Sequence, residues 1–190
     1  MNRDLDSYIK VFPQAVNKKQ CDEIIEELRN NPDTFSKHTF YNPNKNSSYA
    51  MSGDKELEIS YLDSENQKSV MNICWQSILN YVQELDFEHF RSWQGFSLVR
   101  WNKYSQNQKM AKHCDHIHSL FTGNTKGIPI LSILGLLNED YEGGDLVFFD
   151  DKKINTSAGD IIIFPSNFLY PHQVLEVTKG ERWSFVSWVW

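Results

Sequence analysis

His113, Cys114 and Asp115 stand together in this chain, His172 lies well downstream, and Arg182 follows ten residues after that. Two imidazoles and one carboxylate on one face of an ion leave the opposite coordination positions open, an arrangement suited to redox-active mononuclear iron. In a β-strand side chains alternate faces, so His113 and Asp115 are expected to point the same way and Cys114 away, both ligands coming from one strand. His172, in the run Tyr170-Pro171-His172-Gln173-Val174, opens another apolar stretch that a paired strand would bring alongside. An H-x-D tripeptide is common by chance. What points to iron is the combination: Tyr104 before the tripeptide, Asp140-Tyr141-Glu142-Gly143-Gly144-Asp145 between the ligands, Gly159-Asp160 before an apolar run, and Arg182 opening the last strand. A strand arginine is otherwise most often a solvated face residue, and Tyr104 taken alone is a packed strand-end aromatic.

The elements that must hold these residues come in two groups. Asn17, with Gln20 three residues on, resembles a capping box and opens a helix carrying Cys21, Ile24, Ile25 and Leu28 at helical spacing, ended by Asn30-Asn31-Pro32. From Phe40 to Asp63 the composition turns polar, predicting a mobile segment with a short strand pair near Ala50-Met51 and Glu58-Ile59-Ser60-Tyr61. A second helix from about Ser64 aligns Val70, Ile73, Cys74, Ile78, Val82 and Leu85. Both helices are expected to lie against one face of a sheet as scaffold. After Arg91 short strand-like runs follow: Phe96 to Trp101, Ile128 to Leu137, Asp145 to Phe149, Gly159 to Phe164, His172 to Val177 and Arg182 to Trp190. Pro165 closes one of them, and Lys179-Gly180-Glu181 is expected to make a hairpin turn before the last. Many short strands without intervening helices indicate a sandwich or jelly roll.

At 190 residues the chain fits one domain, 1–190, with residues 1–90 as helical support and flexible loop and 91–190 as the β-barrel core. A domain of this size buries roughly 70% of its unfolded surface and needs no staples. Three cysteines without C-x-x-C spacing read as free thiols in a reducing compartment. The polar start, without an apolar leader or a membrane-length run, makes a cytoplasmic location the expectation. A net charge of −6 argues against a general nucleic-acid binder and leaves room for a basic protein or peptide partner.

The stretches Arg100-Trp101-Asn102-Lys103-Tyr104, His113-Cys114-Asp115, Leu136 to Leu146, Ala158 to Pro165, and Pro171-His172 to Arg182-Trp183-Ser184 resemble the prolyl-hydroxylase branch of the 2-oxoglutarate and Fe(II)-dependent dioxygenases. The resemblance implies a double-stranded β-helix, a cupin-like jelly-roll barrel on a helical layer, mainly β with N-terminal helices. It implies Fe(II) on His113, Asp115 and His172 and 2-oxoglutarate as co-substrate, its distal carboxylate on Arg182 with Tyr104 donating a hydrogen bond. Dioxygen is the oxidant, and ascorbate an accessory reductant. Succinate and carbon dioxide leave as an unactivated C–H bond is hydroxylated, first of all in a prolyl residue of a peptide or protein, by a monomeric enzyme.

The chain also departs from that family's pattern. The segment Ile133-Leu134-Gly135-Leu136 offers no second hydroxyl for the distal carboxylate, and Ser132 is the nearest candidate. His116 and His118 make the motif unusually rich in ligands, but the order H-x-H-x-D-H of dinuclear hydrolases is reversed here, so both read as loop residues at the site mouth. His38 and His89 read as structural, and most of Trp93, Trp101, Trp183, Trp188 and Trp190 as core. The Phe40 to Asp63 segment would serve as a flap over substrate. Free proline, another amino acid or a small metabolite stays open as substrate, and a jelly-roll binding module is the non-enzymatic alternative.

Overall fold

The computed structural model describes residues 4–42, 47–49, 55–86, 95–115 and 129–190. A short strand β1 (Lys10–Phe12) precedes helix α1 (Lys18–Arg29). The Asn17 side chain accepts from the Gln20 N–H as the sequence predicts, but the Gln20 amide does not close the box. It donates instead to Ser69 of the second helix, pinning the two helices together. Next come β2 (Ser36–Lys37), the paired β3 (Phe40–Asn42) and β4 (Ser47–Tyr49), and β5 (Glu58–Ser60). The Glu58 strand is thus present, paired with β2; Ala50 and Met51 lie outside the described residues.

Helix α2 (Glu65–Leu85) is capped by Ser64 and stopped by Asp86 in the left-handed region. Its buried stripe carries Val70, Cys74, Ile78 and Leu85 together with Tyr81, Gln67 and Ser77, whereas Ile73 and Val82 are half-buried. The polar members are satisfied locally: Gln67 Nε2 donates to the Val99 carbonyl and Ser77 Oγ to that of Ile73.

The remaining strands are β6 (Arg100–Tyr104), β7 (Met110–His113), β8 (Leu131–Leu136), β9 (Glu142–Gly143), β10 (Leu146–Phe148), β11 (Lys152–Lys153), β12 (Ile161–Pro165), β13 (His172–Val174), β14 (Val177–Lys179) and β15 (Arg182–Val189). Seven strands form the major sheet in the order β1-β12-β8-β15-β6-β5-β2, and four form the minor sheet, β11-β10-β13-β7. This is the mainly antiparallel jelly roll that the strand pattern predicts. The predicted hairpin at Lys179-Gly180-Glu181 is instead a corner: β14 pairs with β9, while β15 pairs with β6 and β8 in the other sheet. A turn signal announces that the chain reverses but not which sheet it enters next.

Strand alternation divides the interior into two cores. Ile161 and Ile163, Ile133, and Trp183, Phe185 and Val189 face the helices, where they meet Ile24, Leu28, Val70, Cys74, Ile78 and Tyr81. Ile162 and Phe164, Leu134, and Val186 face the barrel interior with Phe148, Tyr170 and Val174. Gly135 is needed for this packing, because a Cβ there would lie 2.0 Å from the Phe185 ring. The helices therefore act as scaffold: they press on the outer face of the sheet and leave its inner face for chemistry.

Candidate metal centre and carboxylate pocket

The minor sheet brings the two histidines together. β13 and β7 are antiparallel with His172 directly opposite His113, and the ring centroids are 4.4 Å apart. Asp115 is not on the strand. β7 ends at His113, and the chain turns so that the Asp115 carboxylate faces both rings, 3.2 Å from His113 Nε2 and 3.8 Å from His172 Nε2. The expectation that strand alternation sets this geometry is therefore corrected: a turn does. The ligand atoms of all three residues lie within 4.8 Å of one another.

Each ring is held by its other nitrogen. His113 Nδ1 is 2.8 Å from the Ala111 carbonyl and His172 Nδ1 3.1 Å from that of Tyr170, so both Nδ1 atoms act as donors and both Nε2 lone pairs face the centre. Phe148 stacks on His172 at 5.3 Å and Phe164 meets it edge-on at 4.9 Å. Burial among these rings pushes the His172 imidazole down to about 4, opposed by Asp115 and reinforced by His113. It is neutral at pH 7, the form that binds metal. Burial alone would raise the Asp115 carboxyl, but His172, His113 and the Ser132 hydroxyl outweigh it and hold it well below the usual carboxylate range. Two imidazoles with an ionised carboxylate form the donor set of a mononuclear 2-His-1-carboxylate centre.

Ser132 is where the departure noted in the sequence resolves. Its hydroxyl donates to Asp115 Oδ2 at 2.5 Å and contacts Ser166 Oγ at 2.6 Å, so it orients the Asp115 carboxylate. The hydroxyl beside the arginine belongs to Ser184, which accepts from Arg182 Nη1 at 2.9 Å. Sequence reasoning missed Ser184, although its position two residues along the same strand from Arg182 places it on the same face.

Arg182 opens β15 directly opposite Tyr104 of β6, and its guanidinium lies over the Tyr104 ring at 5.1 Å. The arginine is 3% exposed, its buried Nε has no hydrogen-bond partner, and among the described residues no carboxylate pairs with it. A buried unpaired guanidinium costs stability unless an anion meets it, so this side chain calls for a carboxylate ligand. Tyr104 is raised by burial, against the charges of Arg182 and Arg100, and stays a protonated donor beside it. Gly144 backs the arginine at φ +64°, where a Cβ would lie 3.0 Å from Arg182 Cδ, which accounts for the glycine pair in the Glu142-Gly143-Gly144-Asp145 run. The Gly159-Asp160 pair is architectural: the Asp160 carboxylate accepts from the N–H groups of Gln14 and Ser157.

The other sequence-stated candidates separate cleanly. Lys103, beside Tyr104, points to the outer face, 3.4 Å from Glu58 and 3.5 Å from Glu181. Trp101 and Trp183 are in the helix-side core, while Trp188 faces inward under Arg100. His38 is buried against Glu56 at 3.5 Å. His89, Trp93, His116 and His118 lie outside the described residues.

Comparison with known proteins agrees with this geometry. Residues 99–190 match the sequence model of the 2OG-Fe(II) oxygenase superfamily. A PKHD-type hydroxylase of Alteromonas mediterranea is 35% identical over 95 residues, which are 46% of this chain and 41% of that protein, so the chain spans about two fifths of the length of this curated relative. Among solved structures, a Pseudomonas putida prolyl-4-hydroxylase superposes with a TM-score of 0.68 at 18% identity, covering 96% of this chain and 91% of that one. A Trichoplax adhaerens prolyl hydroxylase, solved with a peptide fragment of the oxygen degradation domain of hypoxia inducible factor, gives 0.71 at 14%, covering 96% and 83%. At such identities these two structures establish the shared fold. The family match does more, because the stretch it covers, residues 99–190, just under half of the chain, is the one that carries His113, Asp115, His172 and Arg182; that stretch is similar to the 2OG-Fe(II) oxygenase superfamily.

Proposed function

We propose that this protein is a 2-oxoglutarate and Fe(II)-dependent dioxygenase that hydroxylates an unactivated C–H bond, with a prolyl residue of a peptide or protein as the leading substrate. The observation that carries the reading is the pairing of the His-Asp-His cluster with the buried guanidinium of Arg182, which no carboxylate meets among the described residues. The donor set fits iron, and the orphaned Arg182 Nε fits a dicarboxylic co-substrate.

His113, Asp115 and His172 would hold Fe(II), which supplies the binding and activation of dioxygen when 2-oxoglutarate is present. Arg182 would take the distal carboxylate on its planar fork, with Ser184 fixing the fork and Tyr104 donating a further hydrogen bond. Ser132 keeps Asp115 oriented, and the carbonyls of Ala111 and Tyr170 keep both rings in the metal-binding tautomer. Phe148, Phe164, Leu134, Ile162 and Val186 line the interior with apolar surface that excludes water from a reactive centre. The free thiols Cys21, Cys74 and Cys114 support a reducing, cytoplasmic setting. Among the described residues no helix is long and apolar enough to cross a membrane.

The reading is tested by succinate release from the full chain with Fe(II) and 2-oxoglutarate, across proline-containing peptides, proteins and free amino acids. Succinate above the substrate-free rate, with a hydroxylated product of added oxygen mass, supports it. Absence of 2-oxoglutarate turnover with iron bound refutes it.

A further inference from the structure

Arg100 is a second buried guanidinium on the inner face of the major sheet. β6 presents Arg100, Asn102 and Tyr104 inward, opposite Val186, Ser184 and Arg182 of β15. Arg100 is 9% exposed, its Nε donates to Asn102 Oδ1 at 3.1 Å, and its guanidinium lies 5.1 Å from the centre of the Trp188 ring. Trp188 is paired with Ser132, the residue whose hydroxyl holds Asp115. Arg100 therefore belongs to the metal end of the inner face, away from Arg182, where the chain leaves the barrel through the exposed Leu98.

Among the described residues no carboxylate lies within 4.0 Å of Arg100. The buried Glu56 is close enough to act on Tyr104 along with Arg100, yet it faces His38. The Trp188 indole N–H is likewise buried without a partner. Guanidinium and indole N–H groups are donors only, and the oxygens of the buried Glu56, themselves without a hydrogen-bond partner among the described residues, do not reach them, so an acceptor is still wanted at this corner, and a buried cation makes an anion the favoured one.

We infer that Arg100, steadied by Asn102 and Trp188, is a specificity residue that binds a carboxylate carried by the primary substrate. This rests on the dioxygenase reading, in which Arg182 is already committed to the co-substrate. The carboxylate has two sources: an acidic side chain beside the prolyl residue of a peptide, or the α-carboxylate of a free amino acid.

The test uses two matched pairs of probes and reads binding by intrinsic tryptophan fluorescence of the anaerobic full chain with Fe(II) and 2-oxoglutarate. One pair is a proline peptide with blocked termini followed by Asp or by Asn; the other is L-proline and L-prolinamide. One carboxylate member should bind about thirty-fold more tightly than its neutral counterpart. Which pair discriminates identifies the source. In Arg100→Gln that ratio should fall close to one while 2-oxoglutarate affinity moves less than about two-fold. Arg100→Lys, which keeps the charge and loses the planar stack, should retain a reduced preference and stands in if the glutamine variant fails to fold. The inference is overturned if neither pair binds saturably or discriminates, if discrimination survives Arg100→Gln, or if that variant weakens 2-oxoglutarate instead. Because binding needs no turnover, a protein that discriminates between probes but releases no succinate would sink the dioxygenase reading and leave the carboxylate site standing.

Discussion

Replacing Arg182 by Met removes the charged fork while keeping an unbranched stem, and the structure gives the sign of two separate effects. Without ligand the arginine is a buried cation whose side chain, among the described residues, donates from Nη1 to Ser184 and leaves Nε unsatisfied. Taking it away relieves an uncompensated desolvation, so the ligand-free variant should melt at or above the wild-type temperature. With ligand the balance reverses. Losing a charge-assisted contact in a buried pocket costs about 2–5 kcal/mol, or roughly thirty- to several-thousand-fold in 2-oxoglutarate affinity. At 2-oxoglutarate one hundred times its dissociation constant the wild type gains about 2.7 kcal/mol, a rise of roughly 5–11 °C for a chain of this size. At the same concentration Arg182→Met should gain under about 1 kcal/mol and shift by no more than roughly 3 °C. Thermal melts of both proteins with Fe(II) under nitrogen read this directly. An equal ligand-induced shift in the variant would refute the assignment of Arg182 as the carboxylate anchor.

Alanine at His113, Asp115 or His172 should abolish succinate release while circular dichroism stays that of a folded barrel, since apolar strands and not the metal hold the fold; full activity of Asp115→Ala without added carboxylate or halide would count against the centre. Ser132→Ala should weaken iron binding about ten- to one hundred-fold, checked by titration with a competing chelator, and an unchanged affinity would mean that Asp115 needs no support. In the metal-free protein the depressed His172 is uncharged in the fold and protonates in the unfolded chain below about 6.5. Stability should therefore fall as pH drops from about 6.5 toward 4, and His172→Gln should flatten that slope in denaturant titrations. Shortening the segment between residues 40 and 63 should reduce peptide hydroxylation far more than uncoupled succinate release if it covers substrate, and equal losses would make it a support of the fold.

The sequence by itself determined the pieces that depend on local chemistry and period. Asn17 and Ser64 sit at the caps because their side chains satisfy free backbone N–H groups, and the stripes of both helices follow from 3.6-residue spacing. His113, Asp115, His172 and Arg182 were legible because few chemistries need two imidazoles, a carboxylate and a fork-shaped cation together. Tertiary structure decided everything that depends on which strands become neighbours. Asp115 meets the two histidines through a turn that strand alternation could not foresee, and Ser132 of β8 holds its carboxylate by a hydrogen bond between residues 17 apart in sequence. The corner at Gly180 sends β15 into the sheet opposite β14, which sets Arg182 against Tyr104. Arg100 and Glu56 carry no spacing signal at all. Their significance arises only when folding withdraws both from water and, among the described residues, leaves the guanidinium of one without a carboxylate in contact, because desolvation belongs to a place in the fold and not to a residue type.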